Sequence, residues 1–185
     1  MFAESEVLSR TGGREVAEIA FDTEAIARRV AALGREITAH YDEGELLVVG
    51  LLKGSFIFMS DLVRAILRPH QVDFLVAASY GRGTTSSGHV RLLYDPATSL
   101  TGRHLLLVED IVDSGTTLNR LVRLLRERAP VSLEICALLH KRVAPTLELE
   151  PRFVGFDAPA RFLVGYGLDH AEDFRHLPFI ASLKV

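Results

Sequence analysis

Apolar positions recur along the chain in two rhythms. Between Thr23 and Tyr41, Ile26, Val30, Leu33 and Ile37 stand four, three and four residues apart, which predicts one buried face of a helix. Asp22 or Thr23 can cap its first turn. Glu45–Leu52 is a short apolar run of the buried-strand type. A second helix is predicted after Gly54, with Ser55 as cap, Phe56, Met59, Leu62, Val63 and Ile66 as buried stripe, and Pro69 as stop. Gln71–Ser79 is the next strand. Tyr80–His89 then breaks the pattern with three glycines and four consecutive Ser/Thr residues, the composition of a mobile loop. Val90–Tyr94 resumes as a strand, so this loop is expected to join a hairpin. His104–Glu109 and Leu133–Leu139 are further apolar strands. Between them, Thr116–Arg128 is helical, with Leu118, Leu121, Val122 and Leu125 on one face and Arg120, Arg123, Arg126 and Arg128 on its solvated side. Beyond Pro145 the pattern changes to short strands and turns.

Strands alternating with helices imply an α/β fold, a mainly parallel sheet flanked by helices. His104–Val108 is apolar on both faces, as a strand covered from both sides must be. The 185 residues, without repeat or linker, suit one domain. Its core is expected over about residues 23–145, with a small hood from about 146–185 and an N-terminal contribution.

Charge and cysteine content narrow the classes. The net charge of −3 argues against a nucleic-acid partner. Cys136 is the only cysteine, which excludes an intramolecular disulfide and fits a buried thiol in a reducing, cytoplasmic setting. The first residues carry Glu4 and Glu6 and lack a signal pattern. The longest apolar run, Leu46–Leu52, falls far short of the roughly 20 residues that span a membrane, so no membrane partner is expected.

In open sheets of this kind ligands bind beyond the carboxyl ends of the strands. The strongest chemical signal sits there: Val108-Glu109-Asp110-Ile111-Val112-Asp113-Ser114-Gly115-Thr116-Thr117-Leu118, between a strand and an amphipathic helix. Ser114, Gly115, Thr116 and Thr117 would offer backbone N–H groups and three hydroxyls at a helix N-terminus, which binds phosphate without a lysine. Glu109 and Asp110, adjacent acids at a strand end, can accept hydrogen bonds from ribose hydroxyls. A capped helix start with solvated acids explains one acid and one hydroxyl, but not this density. The Gly-x-x-x-x-Gly-Lys pattern of a Walker loop is absent, and no His/Cys cluster suggests zinc.

This segment resembles the phosphoribosyl-diphosphate signature of type I phosphoribosyltransferases. Leu51-Leu52-Lys53-Gly54-Ser55 resembles the diphosphate loop of the hypoxanthine-guanine phosphoribosyltransferase family. Ser79-Tyr80-Gly81 with Thr84–Gly88 resembles that family's mobile catalytic loop, and Lys141-Arg142 its base-recognising lysine. Phe153–Phe156, Phe162–Asp169 and Phe174-Arg175 are similar to its C-terminal purine pocket. The combination, over about residues 23–177, marks the 6-oxopurine branch.

The resemblance implies a role for each matching residue. Asp113 would exchange a proton with purine nitrogen 7. Ser114–Thr117 would hold the 5′-phosphate. Glu109 and Asp110 would hold the ribose hydroxyls, directly or through Mg²⁺, and Asp169 would help hold the same ion and belong to the purine-binding set. Lys53, Gly54, Ser79, Tyr80 and Arg175 would bind diphosphate, the Lys53-Gly54 backbone often through a non-proline cis peptide. Lys141 would donate to the purine 6-oxo group, Phe162 would stack on the base, and the Leu163 backbone would read its edge. Lys53 and Lys141 are two of only three lysines, against 18 arginines, which favours a specific need for the compact ammonium. The implied substrates are phosphoribosyl diphosphate and hypoxanthine, with guanine as a second base, in a homodimer or homotetramer. The alternatives are a xanthine-preferring transferase, or a nucleotide-sensing regulator on the same fold. The regulator should lack the acid–base residue or the loop and show a basic face.

Overall fold

The computed structural model describes residues 3–14, 16–80, 89–142 and 147–183. The elements run α1 (Glu4–Arg10), β1 (Val16–Phe21), α2 (Thr23–His40), β2 (Leu46–Leu52), α3 (Phe56–Ala65), β3 (Gln71–Tyr80), β4 (His89–Tyr94), β5 (His104–Val112), α4 (Thr116–Arg126), β6 (Ser132–His140), β7 (Phe153–Asp157), β8 (Leu163–Val164) and β9 (Ile180–Leu183). They build two sheets. The larger has strand order β4-β3-β2-β5-β6-β7, parallel except for the β3–β4 hairpin. The smaller is antiparallel, with order β1-β9-β8.

Asp22 starts α2 by accepting a hydrogen bond from the Ala25 amide at 2.8 Å, which satisfies one of the donors a helix start leaves free. Ile26, Val30, Leu33 and Ile37 are buried as their spacing predicts. On β2, Leu46 and Val48 face α2 and α3, while Leu47 and Val49 face the α4 side. Each such side chain, taken wholly out of water, contributes roughly 1.5–3 kcal/mol before entropy is counted. A separate apolar cluster of Val7, Val164, Phe174, Leu177, Phe179 and Ala181 holds the small sheet together. Cys136 is buried within the α2–α3 core, and burial raises its thiol far above the ordinary range.

Several boundaries depart from expectation. Ser55 is not a side-chain cap. Its backbone is already helical, and its Oγ donates to the Leu51 carbonyl at 2.6 Å. The resulting phase leaves Phe56 at 44% exposure and buries Phe58 in its place. Strand β5 runs on to Val112, because β6 pairs with it as far as His140. Glu109 and Asp110 therefore lie within the strand and not at its end. Phe153–Asp157, expected in the hood, is the edge strand of the main sheet beside β6. From the N-terminal part of the chain, β1 pairs with β9 in the smaller sheet. Among the described residues no helix is long and apolar enough to cross a membrane.

Candidate active site

The carboxyl ends of β2, β5 and β6 converge, and three loops meet above them. After β5 the chain turns through Asp113 and Ser114 to Gly115, whose φ of 75° lies in the left-handed region that favours glycine. Helix α4 begins at the next residue. Among the described residues no side chain caps it, so its first amides are not taken up by such a cap. A cavity of about 130 Å³ opens at this point, lined by Glu109, Asp113, Ser114, Gly115, Thr117 and Leu118 among others. Ser114 Oγ lies 3.4 Å from Thr116 Oγ1. The structure thus brings Ser114, Gly115, Thr116 and Thr117 together at an uncapped helix start beside this cavity.

The two strand acids are electrostatically unusual. Burial pushes the Glu109 carboxyl well above the ordinary carboxylate range, and Asp110 beside it adds to the rise. Glu109 Oε2 is buried without a hydrogen-bond partner among the described residues. Burial also pushes Asp110 up to about 6, against the opposing pull of backbone amides and of Arg175, with Asp169 adding to the rise. Gly54 lies directly against the Asp110 carboxyl, where a Cβ would overlap it. The Leu52–Lys53 peptide, next to Gly54, is cis.

The third loop brings Asp169 and Arg175. The Arg175 guanidinium pairs with Asp169 Oδ1 at 2.7 Å and donates to the Gly167 carbonyl at 2.8 Å. It also approaches Glu172 Oε2 at 3.4 Å. The same Glu172 oxygen accepts from Lys53 Nζ at 2.9 Å. Lys53 and Arg175 are thus brought together through Glu172, a residue that sequence reasoning missed. Nothing local marks it, since its lysine partner stands 119 positions away.

On the other side of the α4 start, Lys141 Nζ donates to Asp113 Oδ2 at 2.8 Å. The lysine is held from behind by its own amide, which donates to the Val112 carbonyl at 3.0 Å. Phe162 is half exposed and meets the His170 ring edge-on at 5.4 Å. Leu163 is buried in β8, paired with Ser182. No described hydrogen bond, ion pair or ring contact joins either residue to Lys141 or Asp113. Ser79 and Tyr80 close β3, opposite Val90 and His89. The remainder of the expected catalytic loop, residues 81–88, lies outside the described residues.

Residues 17–171 match the model of the phosphoribosyl transferase domain family. The chain is 47% identical over 171 residues to hypoxanthine-guanine phosphoribosyltransferase of Dictyostelium discoideum, covering 90% of this chain and 95% of that protein. It is 44% identical to hypoxanthine phosphoribosyltransferase of Salmonella typhimurium, covering 93% and 98%. The crystal structure of a hypoxanthine phosphoribosyltransferase from Staphylococcus aureus superposes with a TM-score of 0.90 at 37% identity, covering 98% of this chain and 97% of that one. With the α/β sheet, the matching family model and relatives of this identity and coverage, the chain belongs to the type I phosphoribosyltransferases, within the hypoxanthine-guanine phosphoribosyltransferase family.

Proposed function

We propose that this enzyme transfers the 5-phosphoribosyl group of phosphoribosyl diphosphate to hypoxanthine, and to guanine as a second base, in purine salvage. The observation that carries this reading is the contact between Lys141 and Asp113 beside the α4 cradle. In this reading one group donates to the 6-oxo oxygen and the other accepts the proton from nitrogen 7, two positions on the same edge of one planar bicyclic base. Purine nitrogen 9 forms the bond to C1′, the bond from C1′ to the diphosphate oxygen breaks, and the nitrogen 7 proton passes to Asp113. Holding both reactants in one orientation supplies much of the acceleration.

The 5′-phosphate sits on Ser114–Thr117, where the helix dipole and free amides stabilise negative charge. Glu109 and Asp110 receive the ribose hydroxyls. Lys53, Gly54, Ser79, Tyr80 and Arg175 hold the diphosphate. Phe162 and the Leu163 backbone receive the base.

Mg²⁺ fits these residues as an ion that arrives with its ligand. Among the described residues no group of three or more potential ligands is assembled. Mg²⁺ often takes only one or two carboxylates together with substrate phosphates. Glu109, with its unpartnered oxygen, Asp110 and Asp169 are the acids that would hold it. When bound it would neutralise charge on the departing diphosphate. The same reading includes a homo-oligomer and a cytoplasmic location, which a lone buried thiol suits.

The test is product formation from hypoxanthine, guanine and xanthine, each with phosphoribosyl diphosphate and Mg²⁺. Nucleoside monophosphate is expected from the first two, with xanthine much slower. No product from hypoxanthine would overturn the reading, and a preference for xanthine would overturn the choice of base.

A further inference from the structure

The residues before β1 have no part in the reaction above, yet they grip one short turn of the hood. That turn, residues 170–176, carries Glu172 and Arg175 and follows Asp169. Ala171, Glu172 and Phe174 have φ values of 53°, 67° and 72°. Side chains rarely adopt this left-handed region, and three such residues in four positions persist only where the surroundings impose them.

The N-terminal segment supplies that imposition. Arg14 is anchored by its own Nε, which donates to the Thr11 carbonyl at 3.1 Å. Its guanidinium covers the Phe174 ring, 3.9 Å from the centroid, and pairs through Nη2 with Asp173. His176 Nε2 donates to the Arg10 carbonyl at 2.9 Å. Beneath these contacts Val7 of α1 packs into the same apolar cluster as Phe174 and Leu177. Arg175 is therefore flanked on both sides by residues tied to the N-terminal segment, while its own guanidinium points to Asp169 and Gly167.

We propose that Arg14 is a positioning residue for phosphoribosyl diphosphate: by clamping Asp173 and Phe174 it fixes the turn that aims Arg175 at the diphosphate. The proposal rests on the reading of Arg175 as a diphosphate ligand. Without the clamp the turn samples other backbone conformations, and binding must then bear the cost of ordering it. The purine side of the site, at Asp113 and Lys141, is built on β5 and β6 and does not share this support.

The experiment is calorimetric titration of the intact protein with phosphoribosyl diphosphate and Mg²⁺, alongside steady-state kinetics. Exposed ion pairs and surface cation–π contacts are individually small, so Arg14→Ala is expected to weaken binding roughly three- to tenfold. The KM for phosphoribosyl diphosphate should rise in parallel. The KM for hypoxanthine and the kcat at saturation should stay within about twofold. Arg14→Lys keeps the charge opposite Asp173 and should recover part of the loss. Glu6→Gln, which removes an exposed pair inside α1, should leave the affinity unchanged. Unaltered affinity in Arg14→Ala, or an equal rise in both KM values, overturns the proposal. Arg175→Ala separates the two layers. If it leaves affinity intact, the assignment of Arg175 itself fails. If it weakens binding while Arg14→Ala does not, only the role of Arg14 fails.

Discussion

Lys141 Nζ donates to Asp113 Oδ2 at 2.8 Å, so the two side chains assigned to the purine satisfy each other across neighbouring strand ends. The lysine side chain is 18% exposed and the aspartate 57%. The lysine is the more enclosed of the two, so a base arriving as proposed would meet a held ammonium and a more open carboxylate. On the proposed reading each group would exchange one partner for another when the purine enters, so the largely buried ammonium would not be left unpaired.

If Asp113 takes the nitrogen 7 proton, Asp113→Asn should lose roughly 10²–10⁴-fold in turnover. Affinity for phosphoribosyl diphosphate should change far less, because the α4 cradle remains. Near-normal turnover by a folded variant would refute the assignment. Single-turnover kinetics with matched circular dichroism makes the comparison.

The ammonium of Lys141 suits a 6-oxo acceptor and opposes the 6-amino donor of adenine. A mispaired polar site can discriminate by about 10⁴-fold or more. Negligible activity on adenine is expected, and Lys141→Ala should raise the KM for hypoxanthine. Comparable wild-type kcat/KM on adenine and hypoxanthine would contradict this account of the pocket.

Gly167 has a φ of 101°, and a Cβ there would meet the Gly54 carbonyl oxygen. Gly167→Ala should therefore push the third loop away from Gly54 and Asp110. A stability loss of roughly 1–3 kcal/mol is expected, together with weaker binding of phosphoribosyl diphosphate. Denaturant melts and calorimetry read the two effects separately, and a variant unchanged in both would show that the loops do not depend on this contact.

Asp73 provides a stability test remote from the site. Burial acts to raise its carboxyl, but hydrogen bonds from the Phe74 amide at 2.8 Å and the Thr98 amide at 2.9 Å prevail and hold it below its ordinary 3.8. A depressed native value means that the ionised group stabilises the fold above the unfolded value, and that this contribution is lost as pH falls below about 4 towards the native value. Asp73→Asn should cost roughly 1.5–3 kcal/mol at pH 7, with the gap to wild type closing below pH 4. A gap that stays constant across that range would show that the charge does not matter.

Val72 and Phe74 on β3 and Leu93 on β4 are large apolar residues left exposed at one edge of the main sheet. Exposed apolar groups of this kind suit the proposed self-association. Val72→Lys with Phe74→Lys should lower the mass seen by light scattering, and an unchanged mass would place the interface elsewhere.

The parts of this molecule legible in the sequence were those encoded by neighbours in the chain. The face of α2 followed from four residues at helical spacing, and Asp113–Thr117 was contiguous. Phe56 misled because the phase of α3 depends on where its first turn closes, and Ser55 closed it one way rather than another. The length of β5 was hidden because acids normally end a strand; here pairing with β6 carries the backbone past them. Phe153–Asp157 is too short for its pattern to say which sheet it joins. Glu172 and Arg14 were invisible for a different reason. Arg14 meets Asp173 across 159 positions, and no periodicity reports such a pair.

The pairing of β1 with β9 also sets an order of assembly. Val16 finds its partner only at Leu183, whereas every strand of the main sheet has been made by Asp157. A chain emerging from the ribosome can thus complete its nucleotide-facing sheet while β1 is still without its neighbour. Until β9 is made, β1 is an open edge that another chain could pair with, and closing so long a loop is the slow kind of step. Loss of β9 would leave the main sheet standing but the smaller sheet unbuilt, with a product prone to sticking to its own copies.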